Sequence, residues 1–252
     1  MKQLDSSTSV ALVTGAGSGI GRATALALAA EGWIVFIAGR RSEALAQTVR
    51  MGSGGIRPVV ADVTNEASVD ELFAEIEQSA GRLDLLFNNA GVNAPRVPLD
   101  ELPVADLRAV IDVNLLGAML CSRAAIRQMK RQNPQGGRII NNGSVSAYGP
   151  RPNSAPYTAT KHAITGLTKS IILDGRAFNI AGGQIDIGNA AVERTAHLGQ
   201  GAPQAGGGTL AEPMIPVEQV AAAVAYMAGL HLDVDIPFMT LMASAMPLYG
   251  RG

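Results

Sequence analysis

Short apolar runs alternate along the chain with longer segments in which apolar residues recur every three or four positions. The early runs are continuously apolar, which is typical of parallel strands covered on both faces. The longer segments between them have the spacing of amphipathic helices. We predict strands at Val10–Thr14, Ile34–Ala38, Pro58–Ala61, Leu83–Asn88, Arg138–Asn142, Asn179–Ile187 and Val234–Met242.

Strands that alternate with helices indicate right-handed crossovers and a doubly wound parallel sheet. Neither an internal repeat nor a linker divides the chain. We therefore expect a single-domain α/β protein of the Rossmann type over residues 1–252, with about seven strands and helices on both faces. The segment around residues 197–213 is rich in glycine and alanine and poor in core-forming residues. A connection of that length is usually a functional loop or a disordered one.

Composition excludes several classes of function. The 252 residues are 47% apolar and 16% charged, with a net charge of −1, so neither nucleic acid nor a membrane is an expected partner. Cys121 is the one cysteine and the histidines (His162, His197, His231) lie far apart, so we expect neither a disulfide framework nor a metal. The amino terminus lacks a signal pattern, and no run reaches the roughly 18 apolar residues of a membrane helix. These features predict a cytoplasmic protein.

A glycine-rich turn follows the first predicted strand and opens the first helix. A glycine at the strand end permits a tight turn, a second lets backbone N–H groups approach a pyrophosphate, and a third allows close packing of helix on strand. The helix N-terminus then faces the anion. The pattern predicts dinucleotide binding by Gly15, Ser18, Gly19, Ile20 and Gly21.

The end of the second strand carries the information on cofactor preference. An acidic residue there would bind the ribose hydroxyls of NAD, but Gly39 is followed by Arg40 and Arg41. Arg40 suits the 2′-phosphate of NADP, which favours NADP(H). A solvated basic turn is the alternative and leaves NAD(H) possible. Asp62, followed by Val63, ends the third strand, where a carboxylate can meet the adenine amino group.

Tyr157 and Lys161 lie four residues apart in a stretch rich in hydroxyl groups. On a helix this spacing places the phenol and the ammonium on one face. Both residue types also share half-exposed helix faces without any chemical role. The pair alone therefore favours a structural interpretation.

The whole set of motifs resembles the short-chain dehydrogenase/reductase family. Ser144 precedes Tyr157 by thirteen positions, as the family pattern requires. The resemblance implies hydride transfer between NADP(H) and a ketone or secondary alcohol. An NAD-dependent alcohol dehydrogenase and a non-catalytic dinucleotide-binding sensor or scaffold are the alternatives. The matching motifs are Thr14–Gly21, Asp62–Val63, Asn88–Gly91, Val113–Gly117, Ser144 and Tyr157–Lys161.

The resemblance also implies roles for single residues. Tyr157 is the expected general acid or base, Lys161 supports it and binds the nicotinamide ribose, and Ser144 holds the carbonyl oxygen. Asn114 resembles the asparagine that anchors a water relay to the lysine, and Asn88 is expected to tie strands together. The other expected cofactor contacts are Asn89, Ala90, Gly91 and Ile187.

The resemblance weakens after Lys161. Where the family commonly has Pro-Gly and then Thr, this chain has Gly182-Gly183 and Ile187 in the place of the threonine, so the hydroxyl that helps to hold the cofactor carboxamide is missing. The resemblance also implies a substrate lid over residues 190–215, which we expect to be mobile before ligand binds. It further implies that the protein forms a homodimer or a homotetramer. The carboxyl terminus departs from the family pattern as well.

Three further side chains have open roles in the sequence. Arg96 and Arg151 are candidates to bind an anionic substrate, although single arginines in loops are usually solvated. Tyr148 either borders the substrate pocket or packs beside it. The substrate itself has no readable signature in the sequence.

Overall fold

The computed structural model describes residues 8–204, 206–246 and 248. The polar amino terminus and most of the last residues of the divergent carboxyl terminus therefore lie outside the described residues. Seven strands form one sheet, and their bounds are β1 (Val10–Thr14), β2 (Ile34–Gly39), β3 (Ile56–Val60), β4 (Leu85–Asn88), β5 (Gly137–Asn142), β6 (Ile180–Ile187) and β7 (Phe238–Leu241).

The sheet is parallel throughout, with the strand order β7-β6-β5-β4-β1-β2-β3. This arrangement confirms the predicted doubly wound sheet. The order reverses between β1 and β4, and in such sheets ligands bind in the crevice at the carboxyl ends of the strands on either side of the reversal.

Helices cover both faces of the sheet. Alternate residues of β1 belong to different cores: Leu12 packs with residues of α3, α5 and α6, whereas Val13 packs with residues of α1, α2 and α7. Both side chains are fully buried. The helices are α1 (Gly19–Ala30), α2 (Ser42–Met51), α3 (Glu66–Ala80), α4 (Val104–Ile111), α5 (Gly117–Arg131), α6 (Ala155–Gly175) and α7 (Val217–Ala228).

Local chemistry accounts for the bounds of the helices. The Asn65 side chain caps α3 by accepting a hydrogen bond of 3.1 Å from the Ser68 N–H, and Gly81 ends the same helix with a φ of +73°. These are a favoured N-cap residue and a favoured C-terminal residue. They explain why the predicted helical pattern begins and ends where it does.

The outer strands differ from their prediction. β3 was expected to be covered on both faces, but it is the edge strand of the sheet, and Val60 is 60% exposed. The last strand begins at Phe238 rather than Val234, because the preceding backbone turns to surround the buried Arg138. The Arg138 guanidinium accordingly bonds the Val234 carbonyl at 2.8 Å and the Asp235 carboxylate at 3.2 Å.

The helical spacing of residues 104–132 shows no break, but the structure has a π-helical turn at Asp112–Leu116 between α4 and α5. Such turns often occur at functional sites, and this one contains Asn114. Among the described residues, the stretch Val104–Arg131 is the one helix long and apolar enough to cross a membrane. It is 44% buried over its most apolar window, and α5 packs against α3 as a core helix does.

Candidate functional site

A groove of about 770 Å³ lies at the carboxyl ends of β1, β2 and β4. Its size falls within the usual range for small-molecule and cofactor sites. It is lined by ten of the predicted cofactor residues, namely Gly15, Ser18, Gly19, Ile20, Arg40, Asp62, Val63, Asn89, Ala90 and Gly91.

The glycines in the first turn of this groove are there for steric reasons. Gly15 has a φ of +65°, and a Cβ at this position would lie 2.8 Å from the Cα of Ala90. Gly19 has a φ of +53° and opens α1, whose first turn contains no acidic residue. The turn thus presents backbone and the positive end of a helix dipole to the groove, which fits a pyrophosphate.

Gly21 does not line the groove. A Cβ there would lie 2.5 Å from the Asn89 side-chain nitrogen and 2.7 Å from the Gly15 carbonyl oxygen. Gly21 therefore permits the close packing of α1 on the strands, as its place in the motif predicted.

The strand ends beside this turn are joined by side-chain hydrogen bonds. The Thr14 hydroxyl accepts bonds from the backbone N–H groups of Asn89 (2.9 Å) and Ala90 (3.0 Å). The Asn89 amide donates to the Thr14 carbonyl at 2.8 Å and accepts from the Asn142 amide at 2.9 Å. The Asn89 side chain thus connects β1 with the ends of β4 and β5.

Asn88 connects strands and helix as the sequence predicted. Its amide donates to the Asn141 side chain on β5 and to the Ser122 hydroxyl on α5, both at 2.9 Å. The residue is buried and does not line the groove.

The far end of the groove is basic. Arg40 and Arg41 are exposed at the end of β2, and Asp62 lies opposite them at the end of β3. Partial burial raises the pKa of Asp62, but hydrogen bonds from the Thr64 N–H and hydroxyl, together with the charge of Arg40, outweigh it and leave the pKa below its ordinary value. Arg40 is therefore close enough to act on charges bound here.

A smaller cavity of about 100 Å³ adjoins the groove, since Asn93 and Arg194 line both. Ser144 and Tyr157 lie in its wall, as predicted for a substrate site. Ile187 lies in this wall too and not in the large groove. β6 continues to Ile187, which brings this residue into the wall shared with Ser144 and Tyr157, and its predicted contact with the cofactor stays a prediction.

Lys161 and Asn114 lie behind this wall. The Lys161 Nζ donates to the Asn142 carbonyl at 2.7 Å and lies 5.5 Å from the centre of the Tyr157 ring. The Asn114 side chain accepts from the Val92 N–H at 2.7 Å and donates to the Val92 carbonyl at 3.0 Å. The π-helical turn thus aims Asn114 inward, toward the loop that follows β4.

The charge on Lys161 is poorly solvated. Burial lowers the pKa of its ammonium, and the nearby Arg194 lowers it further, whereas Tyr157 and Asp186 act to raise it. The net direction is downward. A buried ammonium of this kind costs folding free energy and is typical of functional sites.

Asp186 is a residue of this site that the sequence analysis missed. It is fully buried, and its Oδ1 accepts hydrogen bonds from the Ser144 N–H at 3.0 Å and from the Gln184 amide at 2.7 Å. The Tyr148 hydroxyl donates to its Oδ2 at 2.5 Å, so Tyr148 borders the site and contacts this carboxylate. A carboxylate inside the predicted strand Asn179–Ile187 was the available signal.

The segment after β6 forms the roof over both cavities. Ala190–Ala191 pairs with Ile215–Pro216, and a 3₁₀ turn spans Glu193–Gly199. Val192, Glu193 and Arg194 line the large groove, although the sequence assigned this segment to substrate alone. The roof agrees in position with the predicted lid, and its mobility stays a prediction.

A buried ion pair attaches this roof to the loop before α6. Arg151 makes a two-point contact with the Glu212 carboxylate, with one bond at 2.9 Å, and also donates to the Asn189 side chain at 3.0 Å. Burial acts to raise the pKa of Glu212, but hydrogen bonds from Arg151, Asn189 and Gln204 outweigh it and lower the pKa to about 2.

We expect Glu212→Gln to loosen this roof at neutral pH, because the substitution leaves the half-buried Arg151 without its counter-charge. The pKa of Glu212 in the folded protein is below the ordinary 4.5. The ionised carboxylate therefore stabilises the folded state by about 3 kcal/mol above pH 4.5, and this contribution is lost as the pH falls toward 2. Proteolysis of the roof and thermal unfolding should therefore differ between native and variant protein at pH 7 and converge in acid.

The matched control for this substitution is Glu43→Gln, since the Glu43–Arg50 pair is exposed and such pairs contribute little. A Glu212→Gln protein with the native protease resistance at pH 7 would contradict the assignment.

Comparison with known proteins gives matches over most of the chain. A model of the family described as short chain dehydrogenase matches residues 9–201. The 3β-hydroxysteroid dehydrogenase of Mediterraneibacter gnavus is 40% identical over 168 residues, covering 66% of this chain and 60% of that protein. The cis-4-hydroxycyclohexanecarboxylate dehydrogenase of Sinomonas cyclohexanicum is 36% identical over 227 residues, covering 87% of this chain and 89% of that protein.

Solved structures give the same fold. The actinorhodin polyketide ketoreductase, crystallised with NADPH, aligns with a TM-score of 0.86 at 25% identity over 95% of this chain and 98% of its own. The 3-ketoacyl-(acyl-carrier-protein) reductase of Brucella melitensis, crystallised with NADH, aligns with a TM-score of 0.82 at 24% identity over 92% of this chain and 96% of its own.

Proposed function

Because the chain belongs to the short-chain dehydrogenase family, we propose that it transfers a hydride between NADP(H) and a ketone or secondary alcohol. The chain is an oxidoreductase that acts on hydroxyl or carbonyl groups. The proposal rests on one observation above all: a groove of dinucleotide size meets a small cavity whose wall contains Ser144 and Tyr157.

The residues of the large groove fit a nicotinamide dinucleotide. The close approach of Gly15 to Ala90 leaves room for backbone alone, and the start of α1 suits the pyrophosphate. When bound, the nicotinamide donates or accepts the hydride. The hydrogen-bonded strand ends and the roof residues Val192 and Arg194, which line the groove next to the small cavity, would hold the nicotinamide end of the cofactor.

Tyr157 is the proposed proton donor to a carbonyl oxygen, or acceptor from an alcohol, because its phenol lies in the wall of the small cavity. Ser144 donates a hydrogen bond to the same oxygen and offsets the charge that develops there. Its backbone is positioned by the bond to Asp186.

Lys161 supports Tyr157 through charge. Its ammonium lies close to the Tyr157 ring in a buried setting, where one positive charge stabilises a phenolate far more than it would in water. Asn114, held by Val92, keeps the backbone of the neighbouring loop in place and offers the polar group for a proton path to Lys161.

NADP(H) is the proposed cofactor form because the end of β2 provides Arg40 and Arg41 and no carboxylate. The solved neighbours include one crystallised with NADPH and one with NADH, so they support a nicotinamide dinucleotide, and the arginines alone favour the phosphorylated form. The substrate class, a ketone or secondary alcohol, is in line with the Sinomonas relative, whose name describes a cyclic secondary alcohol.

Titration with NADPH and with NADH, followed by nicotinamide fluorescence, tests the cofactor assignment. We expect NADPH to bind at least tenfold more tightly, since Arg40 contacts a doubly charged phosphate. Arg40→Asp should shift the ratio of the two dissociation constants toward NADH by an order of magnitude or more, because the carboxylate repels the phosphate and accepts bonds from ribose hydroxyls.

Arg108→Asp, an equal change of charge on an exposed arginine of α4 outside both cavities, should leave the ratio unchanged. An unchanged ratio in Arg40→Asp would overturn the NADP assignment and favour an NAD-dependent alcohol dehydrogenase.

A further inference from the structure

We propose that the small cavity recognises a substrate that carries a carboxylate apart from its reacting carbonyl or alcohol group, and that Arg96 is the anchor for that carboxylate. The inference rests on the proposed function, because it takes the wall with Ser144 and Tyr157 as the reacting end of the cavity. It makes the substrate a small hydroxy acid or keto acid.

The charged side chains that line the small cavity are all cationic. Three arginines, Arg96, Arg151 and Arg194, line it, and no Asp or Glu of the described residues does. Guanidinium groups of one sign that line a cleft add to a field that attracts anions. Neutral ketones gain nothing from such a field, whereas carboxylates do.

The three arginines differ in what they already bind. Arg151 is neutralised by Glu212, and Arg194 donates to the Gly91 carbonyl at 2.7 Å while also lining the large groove. Arg96 makes no hydrogen bond or ion pair within residues 8–204, 206–246 and 248. Its five N–H donors therefore remain free for a ligand.

The surroundings of Arg96 do not favour its charge. Arg96 is an exposed residue, but partial burial of its guanidinium lowers the pKa, repulsion from Arg151 lowers it further, and the opposite charge of Glu212 compensates only in part. An anion bound to Arg96 inside the cavity would offset the repulsion between the guanidinium groups of Arg96 and Arg151. The fork of a guanidinium also matches the two oxygens of a carboxylate.

The position of Arg96 fits this role. It lies on the loop after β4, and the same cavity extends from it to Ser144 and Tyr157. The volume of about 100 Å³ favours a small molecule that spans the two ends. Such a molecule would be oriented at both ends, its carboxylate on Arg96 and its oxygen at Tyr157, which fixes the reacting carbon.

Binding of unreactive probes tests the anchor without any turnover. Propionate, benzoate and cyclohexanecarboxylate, each paired with its neutral carboxamide, are titrated into the protein by calorimetry, with and without NADPH. We expect at least one carboxylate to bind roughly ten- to a hundredfold more tightly than its amide, the usual range for a hydrogen-bonded charge pair. Arg96→Gln should bring the two affinities together, and Arg96→Lys should restore part of the difference.

The matched control is Arg176→Gln, an exposed arginine after α6 that lies outside both cavities, which should keep the native preference. Equal or undetectable binding of acid and amide throughout the series, or a preference that persists in Arg96→Gln, would overturn the anchor. Since no probe is reduced, a failure here leaves hydride transfer to neutral ketones standing. Conversely, a carboxylate preference without any ketone reduction would count against the proposed function alone.

Discussion

Tyr157→Phe is expected to lower kcat for carbonyl reduction by about 10²- to 10⁴-fold, the range that a positioned general acid contributes. The substitution removes one hydroxyl from the wall of the small cavity and leaves the ring beside Lys161. Because the ring is kept, we expect NADPH affinity and thermal stability to stay close to native. Steady-state kinetics with a panel of small keto acids and ketones measures the effect.

Tyr226→Phe is the matched control, since this tyrosine is 62% exposed on α7 and outside both cavities. Substantial activity in Tyr157→Phe would show that another group transfers the proton. If native protein binds dinucleotide but reduces none of the panel, the non-catalytic alternative gains support.

Lys161→Met is expected to lower kcat by about 10²- to 10³-fold, comparable to the loss of one preorganised electrostatic donor. The side chain keeps its approximate length while the charge beside Tyr157 and the bond to the Asn142 carbonyl are lost. The variant should nevertheless fold, with a Tm no lower than that of the native protein, because removing a buried ammonium removes a desolvation cost.

The pH dependence of the Lys161 effect has a definite sign. The pKa of Lys161 in the folded protein is below the ordinary 10.5, so the unfolded chain binds the proton more readily. The full free-energy cost of burying the ammonium is therefore present below the folded pKa. Native stability due to this group should rise with pH from the folded pKa up to 10.5. The difference in Tm between Lys161→Met and native protein should shrink over that interval, and a clear fall in Tm at neutral pH would contradict a desolvated ammonium.

Parts of the molecule could be predicted because their signals are local. β1 has the predicted bounds, since its four consecutive apolar residues, Val10 to Val13, are buried when helices cover both faces of a parallel sheet. Gly15 and Gly19 adopt positive φ angles that other residues avoid, as a glycine-rich turn predicts. Ser144 and Tyr157, which were named through the family resemblance, line the same small cavity.

Other parts depend on what neighbouring elements contribute. β3 has an apolar sequence but an exposed face, because its position at the edge of the sheet is set by strand order. The sequence around Asn114 has continuous helical spacing, and no residue type there predicts the π-helical turn that the structure shows. Ile187 was assigned to the cofactor by alignment with a motif, and only the structure shows that it shares the wall of the small cavity with Ser144 and Tyr157.

The sequence by itself determined the doubly wound sheet and the dinucleotide loop, because each depends on residue types at short spacings. The residues proposed for proton transfer were named through the family resemblance, and their roles stay predictions. Only the tertiary structure decided which side chains share a cavity. Arg151 and Glu212 are 61 residues apart and pair, while Arg96 is left without such a partner among the described residues. Whether a charge is compensated depends on the distances between side chains in the folded protein, and the order of residues along the chain does not give those distances.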